Sequence, residues 1–189
     1  MEGNRQMMEE KMPAVLTTDD SAGTAISKTA IQEQAQFITF TIDDQEYGVD
    51  IMSVREIKGW VETTVLPNTP QHMRGVLNLR GVIVPIFDLR CRFGLGKTSA
   101  TKMHVIVIIE VKNRMIGILV DTVSDILTVS INDIRPVPRM ERIVDDEYLT
   151  GLVTIKERMV ALLNQERLFN SQLIEEGVAT GRAWKSDSA

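Results

Sequence analysis

Hydrophobic and polar positions alternate from Phe37 to Ile42, with Ile38, Phe40 and Ile42 on one face and Thr39 and Thr41 on the other. That period of two predicts a half-buried strand, and order is predicted to begin there. Asp43-Asp44-Gln45 is a polar turn, and Glu46 to Val49 returns as a second strand. Ile51, Val54 and Ile57 recur every third residue, which fits a helical turn or an irregular strand. Val61 to Leu66 reads as a short strand closed by Pro67, and Pro70 to Arg74 as a short turn. Gly75 to Leu79 and Val82 to Phe87 read as two strands around a tight Arg80-Gly81 turn. Pro85 has no N–H to donate, so the second of these is predicted to be an edge strand or to carry a break there. A polar linker at 94–102 precedes the most hydrophobic strand, His104 to Val111. Lys112-Asn113-Arg114 turns it back into Met115 to Val120. Further extended pieces are predicted at Gly151 to Ile155 and Met159 to Leu163. Leu168, Phe169, Gln172 and Leu173 share one side of a helix predicted over about 165–176.

The pattern repeats within the chain. Shifted by 69 positions, Phe37 meets Ile106, Gly48 meets Gly117, Val54 meets Val123, Glu56 meets Asp125 and Pro67 meets Pro136. Further on the offset is 76, so Gly75 meets Gly151, Arg80 meets Lys156, Ile86 meets Leu162 and Phe93 meets Phe169. The difference places a longer loop near Arg139 to Tyr148. A duplication of about five short strands per half predicts an all-β fold with a short C-terminal helix, built as two small closed or nearly closed barrels. The halves are expected at about 37–93 and 104–169, with flexible tails at 1–36 and 177–189. A seam between two such units is a favoured place for binding.

Composition narrows the function. The hydrophobic fraction of 43% supports a real core, and a net charge of −5 with 5% aromatic residues argues against a nucleic-acid partner. The single cysteine, Cys91, permits no internal disulfide. No apolar run reaches the ~18 residues that span a membrane, and the first residues lack a secretory leader pattern. A soluble, cytoplasmic protein with no membrane insertion is the expectation.

Candidate chemistry is sparse. Gly94-Leu95-Gly96-Lys97-Thr98 resembles the end of a phosphate loop, but Cys91 stands where that motif needs its first glycine. A flexible linker is the better reading. His72 and His104 are the only histidines and have no paired cysteines, so no metal site or cofactor is expected. Arg90 and Arg92 flank Cys91 and could lower its pKa, but no partner base accompanies it. Asp145-Asp146-Glu147 lacks the spacing of a calcium loop. Glu56 and Arg80, with Asp125 and Lys156 as their repeat partners, are open to two readings. They are a structural ion pair in each half, or one copy faces a partner. Ile134 to Met140 is a proline-stiffened segment with exposed arginines, and it suits either a connection or a docking loop.

Asn78-Leu79-Arg80-Gly81, then Val82 to Ile86 with Pro85, then Asp88-Leu89-Arg90, resembles the signature of the CheW family, the coupling proteins of bacterial chemotaxis arrays. The resemblance extends from about Phe37 to Phe169. It includes Glu46 to Ile51, Val54 to Ile57, Asn68-Thr69-Pro70, Gly117 to Asp121, Val123 to Asp125, Ile134 to Pro136 and Tyr148 to Gly151. It implies two pseudo-symmetric SH3-like five-stranded barrels and a non-catalytic adaptor. That adaptor joins the cytoplasmic tip of a methyl-accepting chemotaxis receptor to the regulatory domain of the histidine kinase CheA. The family's receptor groove falls on Val54, Glu56, Ile57, Gly75, Asn78, Arg80 and Val82. Arg135 and Met140 are expected to face the kinase. The resemblance also implies recruitment to membrane-associated receptor arrays.

Overall fold

A computed structural model describes residues 33–138 and 148–169. Met140, Asp145 to Glu147, most of the expected N-terminal tail and all residues beyond 169 lie outside the described residues.

Ten strands make two five-stranded sheets. They are β1 (Gln34–Ile42), β2 (Gln45–Asp50), β3 (Val54–Gly59), β4 (Met73–Leu79), β5 (Val82–Asp88), β6 (Val105–Val111), β7 (Arg114–Val120), β8 (Thr122–Ser130), β9 (Leu149–Ile155) and β10 (Arg158–Leu163). Two one-turn helices, α1 (Leu89–Arg92) and α2 (Gln165–Leu168), follow β5 and β10. The first sheet has the order β8-β1-β2-β10-β9 and the second β3-β6-β7-β5-β4. Replacing each strand by its repeat partner, β1 by β6 through β5 by β10, turns one order into the other. The duplication is therefore real at the level of topology.

The two repeats do not each form a barrel. Hairpin β1–β2 joins β8, β9 and β10 from the other repeat, and hairpin β6–β7 joins β3, β4 and β5. The halves expected at 37–93 and 104–169 hold as repeats but not as structural units. The exchange follows from the chain path. β2 crosses to the second sheet through a 3-10 turn at Ile51–Ser53, and β7 crosses back at Asp121.

Three apolar clusters explain the layers. Val84, Ile86, Ile106, Ile108 and Leu119 fill one barrel. Val129, Val153, Val160 and Leu162, with Phe37, Leu127 and Ile155 against them, fill the other. Between the sheets lies a larger cluster containing Ile38, Phe40, Val49, Phe87, Val107, Ile109, Ile118 and Phe169. Each such buried side chain is worth roughly 1.5–3 kcal/mol, so this shared core fixes the two barrels as one body.

Local outcomes differ from the sequence pattern in several places: the helix predicted over about 165–176 ends at Leu168 with Phe169 as its C-cap, and β4 begins at Met73, inside the predicted turn. Strand β1 starts at Gln34, three residues earlier than expected. No strand forms at Val61 to Leu66; only Thr64 pairs, as an isolated bridge to Val76, and Val65 is exposed. Strand β8 was not anticipated, because most of its side chains face outward and no clean alternation marks it. Strand β5 is internal rather than an edge, and it also runs unbroken through Pro85, which pairs with Val76 of β4, so neither expectation for Pro85 holds. Its parallel ladder with β7 begins only at Ile86.

Candidate interaction surface

The β4–β5 register pairs Leu79 with Val82, leaving Arg80 and Gly81 as the turn. Both residues have positive φ, +52° and +90°, as a two-residue hairpin turn of this twist requires. Asn78 Oδ1 accepts the Gly81 N–H at 2.8 Å and braces the turn. Arg80 is thereby held out in solvent with 84% of its side chain exposed, and its Nη2 lies 3.3 Å from Glu56 Oε2. That contact ties the turn to the middle of β3. Ile57 follows Glu56 directly and Val82 follows the turn, and both are exposed at 42% and 46%.

The remaining expected receptor-groove residues divide. Val54 is half-buried and packs on the shared core. Gly75 is buried, and a Cβ there would strike the carbonyl oxygen of Thr64. It shapes the hairpin from inside, beneath the surface formed by Asn78, Arg80 and Val82. The structure adds Ile83, which lies opposite Asn78 and is 54% exposed. The apolar run Val82-Ile83-Val84 gave no sign of which member faces outward.

In the second barrel the repeat partners part company. Among the described residues, Asp125 and Lys156 form no ion pair with each other. Asp125 Oδ1 instead accepts the Ile126 N–H at 2.7 Å. Arg135 is exposed, and its backbone exchanges two 2.8 Å hydrogen bonds with Leu152. The proline-stiffened segment is thus pinned to β9 at this residue. An open cavity of about 530 Å³ runs between β8 and β9, with Leu127, Val129, Arg135, Val153 and Lys156 among its lining residues.

The other candidates resolve into structure. The phosphate-loop-like stretch wraps an anion of its own: Thr98 gives its N–H and its hydroxyl to the buried Asp88 carboxylate at 2.9 and 2.7 Å. His72 stacks on Phe87. His104 Nδ1 accepts the Thr101 N–H, and its Nε2 lies 3.6 Å from Asp121. Among the described residues, no group of three or more His, Cys, Asp or Glu could hold a metal ion. Burial, with Asp88 second, pushes the Cys91 thiol up, not down. Its flanking arginines are occupied elsewhere, Arg90 with Asp43 at 2.7 Å and Arg92 with the Tyr148 hydroxyl at 2.7 Å. No described helix is long and apolar enough to cross a membrane.

The family model described as a CheW-like domain matches residues 36–173. A probable chemotaxis protein CheW of Rhizobium etli is 43% identical over 143 residues, which cover 76% of this chain and 92% of that protein. The chemotaxis protein CheW of Klebsiella aerogenes is 43% identical over 148 residues, covering 78% and 89%. Among solved structures, the scaffolding protein CheW of Thermoanaerobacter tengcongensis matches with a TM-score of 0.68 at 30% identity, over 75% of this chain and 91% of that one.

Proposed function

The chain belongs to the CheW family and is a chemotaxis coupling adaptor, and from that premise we propose that it bridges two named partners by contact alone. One is the cytoplasmic tip of a methyl-accepting chemotaxis receptor. The other is the regulatory domain of the histidine kinase CheA.

The observation that carries the receptor surface is the exposed, braced Arg80 with Ile57, Val82 and Ile83 around it. A receptor tip is a helical hairpin, and an apolar helix face suits a groove of this composition. Burial of the three apolar side chains supplies affinity, at ~25 cal/mol per Å², and the guanidinium sets register. Glu56 and Asn78 hold that guanidinium in place, while Val54 and Gly75 keep the strands beneath in position. Arg135, fixed to β9 beside the second barrel's cavity, faces the kinase, and Met140, outside the described residues, is assigned to the same partner. The working domain is 37–169. It acts without catalysis, in the cytoplasm at membrane-associated receptor arrays.

Co-sedimentation with receptor fragments and kinase tests this reading. Arg80→Glu should abolish receptor co-sedimentation while leaving the circular dichroism spectrum unchanged. Arg135→Glu should weaken kinase capture and spare the receptor. Receptor binding that survives Arg80→Glu overturns the groove assignment.

A further inference from the structure

Every ladder that builds a sheet larger than a hairpin joins the two repeats. Within a repeat the paired strands are β1–β2 and β4–β5, or β6–β7 and β9–β10. The pairs β1–β8, β2–β10, β3–β6 and β5–β7 all run between repeats. A lone two-stranded hairpin is marginal in water, so neither repeat has a stable sheet of its own. The shared core is divided in the same way, with Phe40, Val49 and Phe87 from one repeat and Val107, Ile109, Ile118 and Phe169 from the other.

One covalent crossing connects these interlocked halves, through the residues after Phe93. Residues 94–97 of that crossing are exposed, with positive-φ glycines at Gly94 and Gly96. Nothing in the ladders or the core requires both repeats to come from one molecule.

We infer that a second copy of this chain is a competent partner by exchange of whole repeats, giving a dimer in which each two-barrel body holds β1–β5 of one copy and β6–β10 of the other. Such a dimer carries two Arg80 turns and two Arg135 edges and is a bivalent adaptor. The short crossing sets the balance. A link of this length holds its own second half at an effective concentration near the millimolar range, so the monomer prevails in dilute solution. Exchange is populated when chains fold together at comparable concentration.

The experiment uses two full-length versions, each with a protease site inserted between Gly96 and Lys97 and with different tags at its two ends. They are unfolded in denaturant, mixed and refolded at about millimolar concentration. The dimer fraction is isolated and cut. The expected result is particles of monomer size that hold the N-terminal half of one version and the C-terminal half of the other. The cut monomer should also elute whole, both halves together. A dimer that keeps its size after cutting is a side-by-side contact and overturns the inference. So does a mixture with no hybrid particle, or a cut monomer that falls into separate halves.

Discussion

Arg80 and Lys156 occupy the same corner of two related hairpins, with φ of +52° and +55°. Each follows the last residue of a strand that turns back two residues later. A side chain with a Cβ in this region costs of order 1 kcal/mol. Of the two, among the described residues only Arg80 forms an ion pair, with Glu56, and its own exposure keeps that pair near ~0–1 kcal/mol. Lys156→Gly should therefore raise stability by about 0.5 kcal/mol, after the extra freedom of glycine in the unfolded chain is subtracted. It should leave receptor co-sedimentation intact. Arg80→Gly should be within about 0.5 kcal/mol of wild type by urea unfolding and should lose the receptor.

The repeat glycines rank by what surrounds them. At Gly48 an added Cβ would meet Leu162 Cδ2 at 2.9 Å, the far end of a flexible side chain. At Gly117 it would press on Ile86 Cδ1, with Ile106 and Ile108 at 3.0 and 3.2 Å, inside the filled barrel. At Gly75 it would strike the Thr64 backbone, and φ is +131°. Overpacking a dense core costs typically about 1–3 kcal/mol. The expected order of loss on substitution by Ala is Gly75 greatest, then Gly117, then Gly48, read as urea midpoints. If Gly75→Ala is the mildest, the hairpin is not held by that close approach.

Much of this was legible in the sequence, and the misses have causes. The repeat showed because Gly48/Gly117 and Gly75/Gly151 mark close approaches in both halves, with backbone atoms in the way of a Cβ at Gly75 and Gly151. Hairpins showed because strand alternation breaks at short polar turns. The exchange of hairpins between repeats did not show. Alternation fixes which face of a strand is buried, and says nothing about which strand lies beside it. Strand β8 was hidden because its Thr122, Ser124, Asp125 and Ile126 are exposed together. The surface at Arg80 came from the family signature, while Ile83 needed coordinates. The Asp88–Thr98 contact joins residues ten apart around a loop, beyond any periodic signal.

That contact is a second place to test. Asp88 is fully buried. Besides Thr98 it accepts the Cys91 N–H at 3.1 Å, with Arg74 Nη1 3.6 Å away. Its repeat partner, Asn164, caps α2 by accepting the Arg167 N–H at 3.1 Å. Asp88→Ala strands two backbone donors and a cation, so a loss of about 3–5 kcal/mol is expected. Asn164→Ala removes one cap and should cost about 1 kcal/mol. Chemical unfolding of both variants checks the contrast, and equal losses would contradict it.

Alkaline pH probes two groups, among the described residues, whose protons the fold retains. Burial, with Asp88 second, raises the Cys91 thiol above its ordinary 9.0. Burial, with Asp43 second, raises the Tyr47 phenol above its ordinary 10.0. In each case the folded chain holds its proton longer than the unfolded chain. Their contribution is thus fully present below the ordinary values and is lost as pH rises through the raised ones. The urea midpoint of the wild type should fall above pH 9.0 for Cys91 and further above 10.0 for Tyr47. Cys91→Ala removes the first fall. Tyr47→Phe keeps the ring that stacks on Phe40 and packs tilted against Phe93, and removes the second. Alkylation reads the thiol directly, because only the thiolate reacts. Its rate against pH should have a midpoint above 9.0, and a midpoint below that value would mean that a cation, rather than burial, governs Cys91.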